Sequence, residues 1–276
     1  MSHVSGVKPR PRHELVMRAV HPLVAPGVGL LRRLGAEPWQ VVVSHGVLGV
    51  AAAVLAATSA PGAWVAAAVL LQLRTVLDNL DGALARVTGR VTELGRYLDT
   101  GVDFIVSACL FVALAFHGPP LVAALAFLVL TFVLSYDFNA ERLYREAHGG
   151  STASAPAPGP GASDSLALRA VRSLYTSLLA PQDRAVGALE RQLLRSAAKR
   201  PLEEITGEER RSWWGIGSTA ALVNLGLSTQ HLALGICLVA GRPFTYVWLV
   251  LAQGVYLVVV LCVRYLLHRR RWRATP

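Results

Sequence analysis

Charge is what this sequence has least of. Charged residues make up 16% of the chain, against about 25% in a typical soluble domain. Lysine is almost missing: Lys8 and Lys199 are the only two, so the basic residues are otherwise arginines. With so much Ala, Gly and Pro, that bias points to a GC-rich bacterial genome. The cysteines Cys109, Cys237 and Cys262 fall inside apolar runs, without the short spacing of a metal site, and read as small buried hydrophobes. No apolar stretch ending in a small-residue cleavage site follows the first basic residues, so no cleavable signal peptide is expected. An ordinary soluble domain is excluded by these shortages. The arginines flank apolar segments and form no basic domain of their own, which excludes a nucleic-acid partner.

What is present is apolar length. Hydrophobic residues are 53% of the chain and mean hydropathy is +0.45. The expected fold is an all-α membrane protein with six transmembrane helices, an N-terminal amphipathic interfacial helix and a cytoplasmic helical insert between spans four and five. Residues 1–37 form a basic tail and the interfacial segment, in which Pro22 and Pro26 are expected to interrupt any single long helix. Residues 38–140 hold spans one to four. Residues 141–211 form the insert, with a Ser/Ala/Pro/Gly-rich linker at Gly149 to Ser163 and two amphipathic helices separated by Pro181. Spans five and six occupy 212–268, and 269–276 is a basic tail. The net charge of +10 concentrates at both termini, in the Arg86–Arg96 loop and in the insert. The positive-inside rule therefore puts these on the cytoplasmic face of a multi-pass cell-membrane protein.

Two of the spans break the apolar pattern. Asp78, Asp81, Gly82, Ala85 and Arg86 fall at i, i+3, i+4, i+7 and i+8, on one helical face. Gly95, Asp99 and Asp103 recur every four residues and form a second stripe. An antiparallel helix pair joined by residues 87–94 brings the stripes together. Asp78 lies roughly 12 Å inside its span, at ~1.5 Å per residue, where a charged residue costs about 2.5–3.5 kcal/mol near the bilayer centre. Clustered carboxylate oxygens suit hard divalent cations, and such a cation relieves the mutual repulsion. The alternative is ion pairing with Arg74, Arg86, Arg90 and Arg96 in a solvated vestibule. That alternative leaves the glycines on the carboxylate faces unexplained, because glycine there lets something approach the backbone closely.

The pattern Asp78-x-x-Asp81-Gly82-x-x-Ala85-Arg86, eight residues, then Gly95-x-x-x-Asp99-x-x-x-Asp103, resembles the signature of the CDP-alcohol phosphatidyltransferases at every position. Such a match arises by chance about once in 10⁹ start positions. The resemblance implies transfer of a substituted phosphate from a CDP-linked donor, CDP-diacylglycerol by preference, to an alcohol, with release of CMP, in phospholipid biosynthesis. It further implies two Mg²⁺ or Mn²⁺ ions held by Asp78, Asp81 and Asp99, with Asp103 shared or nearby and acting as general base. Gly82, Ala85, Arg86 and Gly95 would then contact the CDP donor. Pairing as a homodimer is implied in the same way. Members of the family often show Pro-Asn and then Thr at the start of span one, where this chain has Pro38-Trp39 and Val42.

The acceptor is less legible. Ser135-Tyr136 resembles a family motif followed by arginines that hold an acceptor phosphate, but here the arginines are displaced to Arg142 and Arg145. These either reach the cleft or simply flank the membrane. Asp137 and Asn139 would suit a neutral or amine-bearing alcohol as well. His231 has no partner nearby in sequence and receives no catalytic role. A divalent-cation transporter or channel using the aspartates is the alternative function, although the acids cluster at one end and do not line a path.

Overall fold

The computed structural model describes residues 15–149 and 166–274; the basic tail at 1–12 and nearly all of the Gly149–Ser163 linker lie outside the described residues. Among the described residues every regular element is helical. They are α1 (Leu15–Arg33), α2 (Pro38–Ala56), α3 (Pro61–Val87), α4 (Glu93–Leu114), α5 (Pro120–Ala147), α6 (Leu166–Leu174), α7 (Ala180–Ala198), α8 (Gly207–Trp213), α9 (Ile216–Val223), α10 (Leu227–Val239) and α11 (Thr245–Ala274). Six stretches are long and apolar enough to cross a membrane: α2, α3, α4 with its closing turn to His117, α5, the broken run Gly207–Val239, and α11. Their outer faces carry large exposed apolar side chains such as Val47, Val54, Val69, Val112, Leu128 and Val258. Continuous apolar surface of this kind needs lipid around it. The chain is a multi-pass helical membrane protein.

Small residues set the packing of α2 on its neighbours, as is usual where helices meet in lipid. Gly46 and Gly49 face α4, where an added Cβ would lie 2.8 Å from Val102 Cγ1 and 2.5 Å from Val106 Cγ1 respectively. Ala52, Ala53 and Ala56 continue the stripe into the main core with Ala67, Leu71, Leu110 and Leu114. Pro38 opens α2 at its first turn, where the missing N–H costs nothing. Gln40 Oε1 accepts from the Glu37 N–H at 2.9 Å, and Glu37 is ion-paired with Arg90. That pair ties the start of α2 to the short loop between α3 and α4.

The prolines of α1 do not break it: α1 runs unbroken through Pro22 and Pro26. On a helical projection both prolines lie opposite Val20, Val24 and Val28, the stripe buried against Val41, Leu80, Ala83 and Leu84. The carbonyls they leave without an N–H partner therefore face outward, away from the packed side. Gly27 brings α1 close to α3, since a Cβ there would stand 2.7 Å from Leu80 Cδ2.

The fifth crossing is the most enclosed, with 61% of its most apolar stretch buried against 28% for α11. It is not one helix. Gly215 and Gly226 sit at the N-caps of α9 and α10, and a Cβ on Gly226 would meet Asp137 Oδ2 of α5 at 3.0 Å. The insert joins α6 to α7 through a π turn at Tyr175–Leu179, with Pro181 in the first turn of α7. The wider turn makes room for a proline ring that would crowd the carbonyl four residues back. α11 continues past Leu267, so Arg269, Arg270 and Arg271 sit on the helix.

Candidate active site

Asp78 and Asp81 belong to the last three turns of α3, and Asp99 and Asp103 to the first three turns of α4. The connection is short. Gly89 takes φ +68°, which glycine adopts without strain. Thr92 caps α4, its Oγ1 accepting from the Gly95 N–H at 3.0 Å. Gly95 is thus fixed by the cap as well as by its stripe, because a Cβ would stand 3.1 Å from Thr92 Oγ1. On α3, a Cβ at Gly82 would lie 3.2 Å from Arg86 Nη1, so the guanidinium of Arg86 lies along that face.

The two stripes meet around a residue that sequence reasoning passed over. His45, fully buried on α2, points Nε2 at three carboxylates: Asp81 Oδ2 at 3.1 Å, Asp99 Oδ1 at 3.6 Å and Asp78 Oδ1 at 4.0 Å. One donor atom from each of His45, Asp78, Asp81 and Asp99 lies within 4.8 Å of every other. The donors fit a divalent cation: three carboxylates converge on one point, with a nitrogen beside them, and the buried Asp99 Oδ1 has no hydrogen-bond partner. The signal for His45 was available, since it is an ionisable side chain in the middle of an apolar span.

Asp103 stands apart from that group. Its Oδ1 is ion-paired with Nη2 of Arg74, which is completely buried. Arg74 therefore pairs across to α4, one turn beyond Asp99, although Asp78 is one turn away on its own helix. His231 of α10 holds the other side of the guanidinium. Arg74 Nη1 lies 3.2 Å from His231 Nε2, and Thr75 Oγ1 lies 3.0 Å from His231 Nδ1. Thr75 also donates to the Leu71 carbonyl at 3.0 Å. One protonation pattern satisfies all of these: Nδ1–H donates to Thr75, and Nε2 accepts from Arg74. The residue that looked partnerless is a neutral buried acceptor 157 positions from the arginine it holds. Gly49 makes room for this arginine, since a Cβ there would be 2.9 Å from Arg74 Nε.

Arg142 and Arg145 are engaged by the protein. Arg145 pairs with Glu141 at 2.6 Å and Arg142 with Glu146 at 3.8 Å. Arg142 Nη2 also donates to Asn139 Oδ1 at 2.6 Å. Beside them lies Asp183 of the insert. It accepts from Ser135, from Asn139 Nδ2 at 3.4 Å and from the Tyr175 hydroxyl at 3.3 Å. Burial holds the Asp183 carboxyl above the usual carboxylate range in spite of these donors, and burial together with Asp183 raises the Tyr175 phenol. The Tyr175 ring meets the Tyr97 ring at 5.2 Å, and Arg172 lies 6.0 Å over the Tyr97 ring. Tyr97 is two residues before Asp99, so the insert packs directly on the helix that carries half of the acidic cluster.

Residues 38–174 match the family model for CDP-alcohol phosphatidyltransferase, and the chain belongs to that family. Among curated proteins, it is 34% identical over 86 residues to an archaetidylinositol phosphate synthase of Pyrococcus horikoshii, covering 31% of this chain and 44% of that protein. It is 46% identical over 56 residues to the Aeropyrum pernix protein of the same name, covering 18% and 29%. A bifunctional IPC transferase and DIPP synthase of Thermococcus kodakarensis is 32% identical over 107 residues, covering 38% and 24%. The chain thus spans less than half the length of each of these relatives.

Proposed function

We propose that this protein transfers a substituted phosphate from a CDP-linked donor, CDP-diacylglycerol by preference, to an alcohol, releasing CMP on the cytoplasmic side of the cell membrane. The observation that carries the reading is the convergence of Asp78, Asp81 and Asp99 at one end of an α3–α4 pair, in a chain of this family. Asp78, Asp81 and Asp99 would hold Mg²⁺ or Mn²⁺, two ions by family resemblance, with His45 Nε2 as a further donor at the same point. Bound there, such ions neutralise pyrophosphate charge and stabilise the attacking and leaving oxygens. Gly82, Ala85 and Gly95 leave the two helix faces low enough for nucleotide and phosphate, and Arg86 offers them a planar guanidinium. Asp103 is the general base. Arg74 engages its Oδ1, and Oδ2 takes the proton of the acceptor hydroxyl. The acceptor oxygen bonds to the phosphorus distal to cytidine, the bond to the CMP phosphate breaks, and its electron pair leaves with CMP.

The α1 segment fits an interfacial role. Leu23 and Leu30 are exposed on a face adjoining the buried valines, and Arg18, Arg32 and Arg33 occupy the remaining arc. The relatives' names favour a phosphorylated inositol as the alcohol. The pairing of Arg142 and Arg145 within the protein means such a phosphate would have to compete with Glu141, Glu146 and Asn139.

The test uses purified full-length protein with CDP-diacylglycerol, Mg²⁺ or Mn²⁺ and a panel of alcohols, with products read by mass spectrometry and CMP by chromatography. Donor-dependent CMP release is expected, and Asp99→Asn and Asp103→Asn are each expected to abolish it. Retained turnover in either variant refutes the roles given. Divalent-cation flux into liposomes with no donor cleavage would establish transport instead.

A further inference from the structure

The end of α7, the turn after it and the C-terminal half of α11 line an open concavity of about 750 Å³, bounded by Arg191, Arg195, Lys199, Arg200, Tyr265 and Arg269 with smaller neighbours. It is built from the insert and the last helix, and contains none of the residues assigned to transfer. α11 is the sixth crossing and α3 the second, so their C-terminal ends share a face, and the cavity opens on the same side as the aspartates. Its size falls within the roughly 300–1,000 Å³ range of small-molecule sites.

Its chemistry is one-sided. Five of the lining residues are cationic and none is acidic. Arg191, Arg195 and Lys199 recur every four residues, as one stripe along α7. Arg200 is ion-paired with Glu209. The other four cations have no carboxylate partner among the described residues. Arg269 lies 5.8 Å over the Tyr265 ring, and its Nε is buried without a hydrogen-bond partner. The Ser196 and Tyr265 hydroxyls, 3.2 Å apart, add neutral donors. Cytoplasmic arginines that merely obey the positive-inside rule have no reason to line a concavity from two separate elements. Guanidinium groups converging on one space suit the several oxygens of a phosphate.

We propose that this cavity is a second, non-catalytic binding site for a phosphate-bearing anion. A phospholipid headgroup at the membrane surface and a soluble phosphorylated compound share that chemistry, and the two arms of the test separate them. Full-length protein in phosphatidylcholine nanodiscs is titrated with inorganic pyrophosphate, in chelator so that the aspartate cluster offers no bridging cation. In parallel, thermal stability is measured across nanodiscs of increasing phosphatidic acid content. Stabilisation in either arm is expected to weaken at least tenfold in apparent affinity in Arg191→Gln/Arg195→Gln. An equal charge removal elsewhere, Arg32→Gln/Arg33→Gln on the exposed side of α1, is expected to leave it within twofold. Unliganded melting temperature of each variant reports folding. Response to pyrophosphate alone identifies a soluble ligand, and response to phosphatidic acid alone identifies a lipid. No stabilisation in either arm, or equal weakening by both double variants, overturns the proposal.

Discussion

Replacing Glu190 with alanine tests how the insert is held to the membrane helices. Glu190, on α7, is buried. It accepts from Tyr136 Oη of α5, from Trp213 Nε1 at 3.2 Å, from Trp214 Nε1 at 3.0 Å, and from the Arg264 guanidinium of α11. Arg264 is itself only 5% exposed and stacks 4.8 Å over the Trp213 ring. The alanine variant leaves that cation buried and unpaired, a change that costs about 3–5 kcal/mol. It also strands three neutral donors. Opening of α7 measured by hydrogen exchange should become roughly 10²- to 10⁴-fold easier, at about 1.4 kcal/mol per factor of ten. Glu190→Gln separates the contributions, because it keeps an acceptor for the indoles and removes the charge. Glu190→Leu with Arg264→Met should recover the share due to the unpaired cation and not the share due to Tyr136, Trp213 and Trp214. A change below about tenfold in Glu190→Ala, or a double variant that opens as easily as the single one, refutes this account of the junction.

Further outcomes follow from the same geometry. His231→Ala should lower kcat about 10- to 100-fold with little change in KM, the worth of a buried hydrogen bond to a charged group, because Arg74 loses the acceptor that orients it toward Asp103; a fall in KM alone would contradict this. Gly49→Ala puts a Cβ against Val106 and Arg74 Nε and should cost about 1–3 kcal/mol of stability, read as a lower melting temperature in detergent. Asp183 binds its proton more tightly folded than unfolded, so its contribution to insert docking is full below the ordinary carboxylate range and declines as pH rises through the raised value. Hydrogen-exchange protection across Ser135, Tyr175 and their neighbours, corrected for intrinsic rates, should fall over that window and be flat in Asp183→Asn.

Local rules accounted for a definite part of this molecule. Apolar runs of spanning length, broken by Pro61, Pro120 and the turn before Thr245, are enough to fix six crossings, because lipid leaves helices as the only way to pair the backbone within one segment. Helical periodicity by itself puts Asp78 with Asp81 and Asp99 with Asp103, since residues three or four apart share a face whatever surrounds them. The Pro22 and Pro26 expectation failed for a physical reason. A proline penalty depends on whether the freed carbonyl faces packing or the outside, and that is decided by Val20, Val24 and Val28 meeting α3.

Tertiary structure decided the rest. His45 joins the acidic cluster only because Gly46 and Gly49 let α2 settle against α4. Arg74 serves Asp103 because α4 brings that carboxylate within reach while His231, on a helix far along the chain, holds the guanidinium. Glu190 is tolerable in the interior only where Arg264, Tyr136 and two adjacent tryptophans, from three other elements, converge on it. Each of these depends on the approach of segments distant in sequence: local composition marks His45 as an ionisable residue in an apolar span, but not the partners it meets. The sequence by itself determined a membrane bundle with two acidic stripes. Packing between remote helices determined which residues those stripes meet.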